Sequence, residues 1–400
     1  MERLLNPYRP GAGTQPPALI GRDDIIGDFE VALRRAAAGM PGKSVVALGL
    51  RGVGKTVLLN RFSDIATQEG FKVGFVEAPE TGEFRTHLAI RLRQILLELD
   101  QAGPVSAVVS AALGVLKSFV LTLPDGTSIQ LSADASVGKA DSGVLSEDLT
   151  DLLVAAGEAA RARDTGILIA VDELQYLADE EFAGLIVAIH RTTQRNLPVV
   201  LSGAGLPQVP GLAGAAKSYA ERLFDFLSVG ELAFDEAAQV LTVPAAEADI
   251  DIAADAVTEM VRASRGYPYF LQEWGSAAWN AAPRTPIGID DVTAARPAVR
   301  QALDESFFRV RLDRLTPKER EYLYAMATLG PGPHRSGDIA QRLGVKVESV
   351  APRRSTLIRK GMVYSPAHGD TAFTVPLFDD FMLRTQGTRQ SLQGRLLNEE

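Results

Sequence analysis

Short apolar runs alternate with longer segments of helical periodicity over residues 21–230. Segment 84–99 is typical of the longer segments, because apolar residues recur in it every three or four positions, as on one face of an amphipathic helix. The apolar runs predict buried strands at 44–48, 72–76, 166–171 and 198–202. Strands that alternate with helices indicate an α/β domain with a parallel sheet covered on both faces.

Residues 103–145 interrupt this alternation. Residues 107–116 have helical character. Apolar residues then alternate on either side of a turn signal, Pro124-Asp125-Gly126, which predicts a hairpin. The alternating residues are Phe119, Leu121, Leu123, Ile129 and Leu131. We interpret 103–145 as an insertion that decorates the domain.

No strand is predicted between 231 and 295, and this segment is helical. The segment 296–385 has a different rhythm, with three helices followed by two short strands, the pattern of a winged helix-turn-helix. We predict the helices at 318–329, 336–343 and 347–360, and the strands at 362–364 and 371–375. A Pro- and Gly-rich arm, 1–20, precedes the first domain, and a tail, 386–400, follows the last.

Composition narrows the possible chemistry. A chain of 400 residues predicts two or three domains. The absence of cysteine excludes disulfides and thiol catalysis, and the four histidines are too scattered to predict a metal site. We expect a cytoplasmic protein without membrane association, because we find neither a secretory signal nor an apolar stretch of about 20 residues.

Residues 49–56 fit the P-loop pattern GxxxxGK[ST], with a predicted strand before them and a helix after. The glycines let successive N–H groups turn inward toward phosphate oxygens at a helix N-terminus. Lys55 would reach the outer phosphates of ATP, and the Thr56 hydroxyl would hold Mg²⁺. The predicted nucleotide contacts are Gly49, Arg51, Gly52, Val53, Gly54, Lys55, Thr56 and Val57.

A second acidic motif completes the predicted site. The apolar run 167–171 ends in Asp172 and Glu173, as a Walker B strand does. Asp172 would act on Mg²⁺ through its water shell, and Glu173 would activate the attacking water. The alternative, two acidic residues at the start of a surface turn, is weakened by the P-loop elsewhere in the chain.

These motifs make residues 18–385 similar to a bacterial AAA+ ATPase of the branch that resembles origin-recognition-complex proteins and STAND signalling ATPases. The resemblance rests on both Walker motifs and on 20–22, 201–207, 218–224 and 266–270. It implies a sheet in the order 5-1-4-3-2, a helical lid over 231–295 and a C-terminal winged helix. It also implies Mg²⁺-dependent hydrolysis of ATP to ADP and phosphate.

The resemblance assigns further roles by position. Ile20 and Gly21 would lie near the adenine. Ser202, at the tip of the fourth strand, would sense the γ-phosphate, or else bond within its own turn. Arg222 would be an arginine finger acting on a neighbouring subunit of a nucleotide-dependent oligomer, or else form an ion pair with Glu221 or Asp225.

One departure from many AAA+ motors concerns the start of the third lid helix, where these motors carry an arginine that faces the phosphates. This chain has Gly266-Tyr267-Pro268 there, and the resemblance places Tyr267 and Pro268 at the nucleotide. The loss of that arginine predicts slow hydrolysis and a switch rather than a motor.

The third helix of the predicted winged helix is basic in an acidic protein of net charge −9. Its cations include Arg353, Arg354, Arg359 and Lys360, which indicate contact with DNA phosphates. Because winged helices also bind proteins, a protein partner is the alternative. We therefore weigh an ATP-dependent switch against a DNA-binding regulator or initiator-like protein with structural ATP. A small-molecule kinase is disfavoured, because no acceptor-site motif follows the P-loop.

Overall fold

A computed structural model describes residues 1–11, 13–80, 82–101, 107–123 and 134–385. Contacts divide the chain into two compact units. The first, which we call the sheet unit, comprises 22–49 and 55–229. The second, the helical unit, comprises 1–21, 50–54 and the chain from 230 onward.

The sheet unit is a layer of strands flanked by helices. Its elements are α1 (Asp23–Ala37), β1 (Ser44–Leu48), α2 (Lys55–Gln68), β2 (Lys72–Glu77), α3 (Phe84–Gln101), α4 (Ala107–Leu121), α5 (Leu145–Arg161), β3 (Ile167–Asp172), α6 (Asp179–Gln194), β4 (Val199–Gly205), α7 (Val209–Ala216), α8 (Ala220–Leu223) and β5 (Phe224–Ser228).

The five strands are all parallel and lie in the order β2-β3-β4-β1-β5. This confirms the predicted order 5-1-4-3-2 and the fold of a P-loop NTPase. Every residue of β1, β3 and β4 is buried, as expected of central strands with helices on both faces. In the register, Leu48 pairs with Gly205 and Val171 pairs with Gly203, so the carboxyl ends of these strands meet at one edge.

Helix α4, within the predicted insertion, is part of the core. Helix α4 buries Val109, Leu116 and Phe119 in the cluster that also covers the sheet. The hairpin prediction is wrong for Phe119 and Leu121, which are helical, while its turn and second arm lie outside the described residues. The apolar residues before Pro124 fit both the alternation of a strand and the three- and four-residue spacing of a helix, which explains the error. Although α4 is strongly apolar, no described helix has the length and hydropathy to cross a membrane.

The helical unit contains the remaining elements. They are α9 (Phe234–Ala246), α10 (Ala254–Ser264), α11 (Pro268–Ala281), α12 (Ile289–Ala302), a π-helical turn (Leu303–Arg309), α13 (Val310–Asp313), α14 (Pro317–Thr328), β6 (His334–Arg335), α15 (Ser336–Leu343), α16 (Val347–Arg359), β7 (Val363–Tyr364) and β8 (Asp370–Phe373). The last three strands form an antiparallel sheet in the order β6-β8-β7. Strand β6 was not predicted, because a strand of two residues is too short to show an alternation of apolar and polar positions.

The N-terminal arm packs against the helices of the helical unit. The Tyr8 ring is buried, and its hydroxyl donates to the Leu241 carbonyl at 2.5 Å. A Cβ at Gly275 would lie 2.6 Å from that ring, so α11 approaches the arm closely only because this position is glycine. Asn6 donates to Ser276 and Asn280, which fixes the preceding turn of the arm.

We predict that Gly275→Ala lowers the free energy of unfolding by about 1–3 kcal/mol, the scale of an overpacked core. Alanine alone favours a helix over glycine, so any loss comes from the collision with Tyr8. Gly211→Ala in α7 is the matched control, because nothing lies within 4 Å of its added Cβ. Denaturant unfolding of both variants checks this, and equal or higher stability of Gly275→Ala would refute the packing role.

Candidate functional site

The P-loop joins the buried end of β1 to the start of α2. Gly52 and Gly54 have φ of +84° and +94°, which side-chain-bearing residues rarely adopt. Nothing lies within 4 Å of a Cβ built on Gly54, so conformation alone requires glycine there. The loop therefore has the curled backbone that the sequence predicts, with Lys55 as the first residue of α2.

Residues 50–54 make hydrogen bonds to the rest of the helical unit. The Arg51 N–H donates to the Thr374 carbonyl at 2.9 Å, directly after β8. At the start of α11, the Tyr269 N–H donates to the Gly52 carbonyl at 3.1 Å. Gly52 also lies against Tyr269 and Phe307, whose rings stack at 4.8 Å. The predicted phosphate loop is thus in contact with two segments distant in sequence.

The predicted metal residues meet in the sheet unit. The Thr56 hydroxyl donates to Asp172 Oδ2 at 2.6 Å, and the Glu173 N–H donates to Asp172 Oδ1 at 2.8 Å. Asp172 is only 4% exposed and Lys55 only 7%. Burial raises the pKa of Asp172 above its usual range, and the Glu173 carboxylate adds to the rise, while Thr56 and Lys55 oppose it.

These residues fit Mg²⁺. The ion prefers hard oxygen ligands and usually combines one or two carboxylates with phosphate and water oxygens. Thr56 and Asp172 supply such oxygens 2.6 Å apart. Across the described ranges, no three carboxylate or histidine side chains gather into a self-sufficient metal cage. A metal here would therefore depend on the nucleotide for its remaining ligands.

Glu173 has a strained backbone and a restrained side chain. Its φ and ψ are 54° and 42°, the left-handed region that few non-glycine residues adopt. Its carboxylate accepts a hydrogen bond from Gln175 Nε2. The Oε1 of Gln175 in turn accepts the Leu206 N–H at 3.0 Å, directly after β4. Sequence reasoning missed Gln175, although an amide two residues after the acidic pair was the available signal.

The glycines of β4 make room for this turn. A Cβ at Gly203 would lie 2.4 Å from the Leu174 side chain, and one at Gly205 would lie 3.2 Å from Gln175 Oε1. The turn after Asp172 therefore packs directly on the end of β4. Gly205 also accepts the Gly49 N–H at 3.1 Å, so the same strand end holds the start of the P-loop.

Ser202 does not lie at a strand tip. Strand β4 extends to Gly205, and Ser202 pairs with Val45 near the opposite end of β1. It is fully buried, and its hydroxyl donates to the Val45 carbonyl at 3.1 Å. Three residues of strand separate it from the carboxyl edge, about 10 Å. This corrects both predicted roles, because the hydroxyl is used inside the sheet.

Arg222 is exposed in α8, directly before β5. The predicted ion pair with Asp225 is not formed, because Asp225 instead pairs with Lys43 at 2.9 Å. Within the described part of the chain, no salt bridge of Arg222 with Glu221 is present either. Its action on a neighbouring subunit stays a prediction.

Ile20 and Gly21 belong to the helical unit. Ile20 packs against that unit's core, and Gly21 has a φ of +70° beside the Glu236 carboxylate. Tyr267 precedes Pro268, the first residue of α11, and burial raises its pKa to about 12. Contact of these residues with a nucleotide stays a prediction.

The four cations of the predicted recognition helix do not act alike. Arg354 donates to Thr371, Ser365 and the Asp370 carbonyl, all at 2.7–2.8 Å. Lys360 forms an ion pair with the buried Glu319 at 2.8 Å. Burial alone would raise the pKa of Glu319, but the hydrogen bonds from Lys360 and Thr316 outweigh burial and lower it. Two of the four therefore stabilise the domain, and Arg353 and Arg359 remain as candidates for phosphate contact.

Two family models match this sequence. Residues 18–202 match the AAA ATPase domain, and 305–382 match a domain of unknown function, DUF8462. No curated protein matches the chain.

Among solved structures, the Walker-type ATPase PABY2304 of Pyrococcus abyssi is similar at 16% identity and a TM-score of 0.57, covering 94% of this chain and 99% of that one. The RuvB Holliday junction branch migration motor of Thermotoga maritima has 16% identity, a TM-score of 0.46, and coverage of 90% and 96%. The Aeropyrum pernix ORC1 protein in complex with DNA has 16% identity and a TM-score of 0.43, and the match covers 94% of this chain and 95% of that one.

The first of these structures supports the fold, and the other two are too distant to bear on it. The parallel sheet and the P-loop give residues 22–229 the fold of a P-loop NTPase, and residues 18–202 match the AAA ATPase domain.

We predict that Asp172→Asn raises the Tm of the nucleotide-free, metal-free protein at pH 8. The amide can keep both hydrogen bonds, accepting from Glu173 and donating to Thr56, without a buried charge. The folded-state pKa of Asp172 is raised, so its ionised carboxylate destabilises the folded protein. This destabilisation is complete above the folded-state pKa and absent below the unfolded-state pKa of about 3.9. The gain in Tm should therefore shrink as the pH falls toward 4.5.

Thermal unfolding with a chelator, at several pH values, measures this gain. Asp28→Asn, at an exposed position of α1, controls for the loss of one negative charge. A lower Tm for Asp172→Asn at every pH would show that the buried carboxylate stabilises the metal-free fold, contrary to this account.

Proposed function

We propose that this chain is an ATP- and Mg²⁺-dependent molecular switch that hydrolyses ATP slowly, with a winged-helix output domain at 296–385. The observation that carries the proposal is the pair of hydrogen bonds from Arg51 to Thr374 and from Tyr269 to Gly52. A phosphate oxygen bound by the Arg51 N–H would compete directly with the Thr374 carbonyl. The bond from Tyr269 uses the Gly52 carbonyl and would change only with the conformation of the loop. Nucleotide state is thereby transmitted to the lid helix and to the end of β8.

The sheet unit supplies the chemistry. Lys55 and the loop amides bind the phosphates of ATP or ADP, and Thr56 with Asp172 holds the ion. The ion neutralises charge on the phosphates when it is bound. Glu173 accepts the proton of the attacking water. Its backbone is anchored to Asp172 at 2.8 Å, so metal and base positions are linked.

Slow turnover follows from the start of α11. The helix begins with Tyr267 as N-cap and Pro268 as its first residue, where a motor would carry an arginine. Neither tyrosine nor proline carries the positive charge with which a guanidinium would offset charge that develops on the phosphates. A long-lived ATP state suits a switch, and Arg222 would speed hydrolysis only when a second subunit is present.

The output domain has three helices, α14, α15 and α16, with the small sheet β6-β8-β7. This supports a winged helix whose wing connects β7 and β8. Contact with DNA stays a prediction and now depends on Arg353 and Arg359. The alternative of a regulator with structural ATP is disfavoured, because the turn at Glu173 holds a carboxylate beside the metal residues.

We predict that Glu173→Gln keeps ATP and Mg²⁺ bound but lowers turnover at least ~100-fold, the scale of a lost general base. Lys55→Ala should instead abolish nucleotide binding. Calorimetry for binding and phosphate release for turnover separate the two effects. Hydrolysis at the wild-type rate by Glu173→Gln would remove this residue from the mechanism, and unchanged affinity in a folded Lys55→Ala would remove the P-loop assignment.

A further inference from the structure

Gln175 lies between two parts of the proposed site that the sequence places far apart. Its amide nitrogen donates to a carboxylate oxygen of Glu173, and its amide oxygen accepts the Leu206 N–H at 3.0 Å. Leu206 is fully buried, so this N–H has a fixed position. One side chain therefore bridges Glu173 to the end of β4.

That strand end is itself attached to the P-loop. The carbonyl of Gly205 accepts the Gly49 N–H at 3.1 Å, one residue before the N–H that Gln175 accepts. A displacement of the loop on phosphate binding would thus reach β4, and through Gln175 it would reach Glu173. Ser202, the residue expected to report on the phosphate at this strand, is buried in the middle of β4, three residues before its end.

We propose that Gln175 is a positioning residue for Glu173, which holds its carboxylate at a set distance from the P-loop. The inference rests on the proposed role of Glu173 as the base. An amide that donates to one carboxylate oxygen fixes the position of that oxygen. It also removes the rotation that an unrestrained glutamate has about its side-chain bonds.

The packing around the amide is consistent with a fixed geometry. Gly205 leaves 3.2 Å between its hypothetical Cβ and Gln175 Oε1, and a larger residue would displace the amide. An asparagine at position 175 would be one methylene too short to reach both partners. The bridge therefore needs the length and the two-ended chemistry of glutamine.

The test uses Gln175→Met, which keeps the length of the side chain but neither hydrogen bond. We expect kcat for ATP hydrolysis to fall at least about tenfold, as for a displaced catalytic group, with KM within about threefold of wild type. Gln194→Met, an exposed position of α6, is the matched control and should hydrolyse like wild type. An unchanged kcat, or a raised one, would overturn the inference.

Gln175→Glu separates the two ends of the bridge. It keeps an acceptor for Leu206 but loses the donor to Glu173, so we expect it to be impaired at least as strongly as Gln175→Met. Wild-type activity in Gln175→Glu would mean that the Leu206 contact alone matters, which contradicts positioning.

A double-mutant cycle shows whether Gln175 acts through Glu173. In a Glu173→Gln background, Gln175→Met should change the single-turnover rate less than twofold, because the carboxylate it positions is already absent. An additional tenfold loss in that background would indicate a general structural effect. If Glu173→Gln alone hydrolyses at the wild-type rate, the proposed function fails; if only Gln175→Met does, this inference fails.

Discussion

The site depends on the register of the parallel sheet. Leu48 pairs with Gly205, and Val171 with Gly203, which brings the ends of β1, β4 and β3 to one edge. A parallel sheet has this property because all its strands end on the same side. A shift of one residue in either pairing would separate Asp172 from Thr56, whose oxygens lie 2.6 Å apart. The hydrophobic burial of three central strands is what holds this register.

The charged and strained groups of the site lower the stability of the folded protein when no ligand is bound. A buried carboxylate, a buried lysine and a left-handed glutamate all lie within one turn of the strand ends. Each is unfavourable for a fold that has no ligand. Such groups persist because the surrounding sheet and helices fix them, and the phosphates and cation of the proposed ligand would match their charges. In the proposed function, the arrangement favours nucleotide binding over the stability of the empty protein.

Much of this fold could be predicted from the sequence. The positions of Lys55, Thr56, Asp172 and Glu173 follow from two short motifs and their flanking periodicity, because both motifs need a strand before them. The strand order was implied by the resemblance to AAA+ ATPases. Strand β4 was predicted to end at Ser202, whereas it continues through Gly203 to Gly205, and these glycines leave room for Leu174 and Gln175. That error misplaced Ser202.

Other features could not be found in the sequence, because they depend on long-range contacts. The bond from Leu206 to Gln175, the Tyr8 contact with Gly275 and the internal partners of Arg354 each join residues that are far apart in the sequence. The clearest instance is the predicted DNA-contacting surface, which had four cations in the sequence analysis and keeps two, Arg353 and Arg359, in the structure. Charge counts identify a basic helix, whereas only packing shows which of its cations are already paired.

In the proposed function, nucleotide at the P-loop changes the contacts of the C-terminal segment. Hydrogen exchange of residues 360–375 measures this directly in Glu173→Gln, which should hold ATP without turnover. We expect faster exchange in that segment with ATP and Mg²⁺ than without nucleotide, and no such change in Lys55→Ala. Identical exchange in the empty and ATP-bound states, with binding verified by calorimetry, would contradict it.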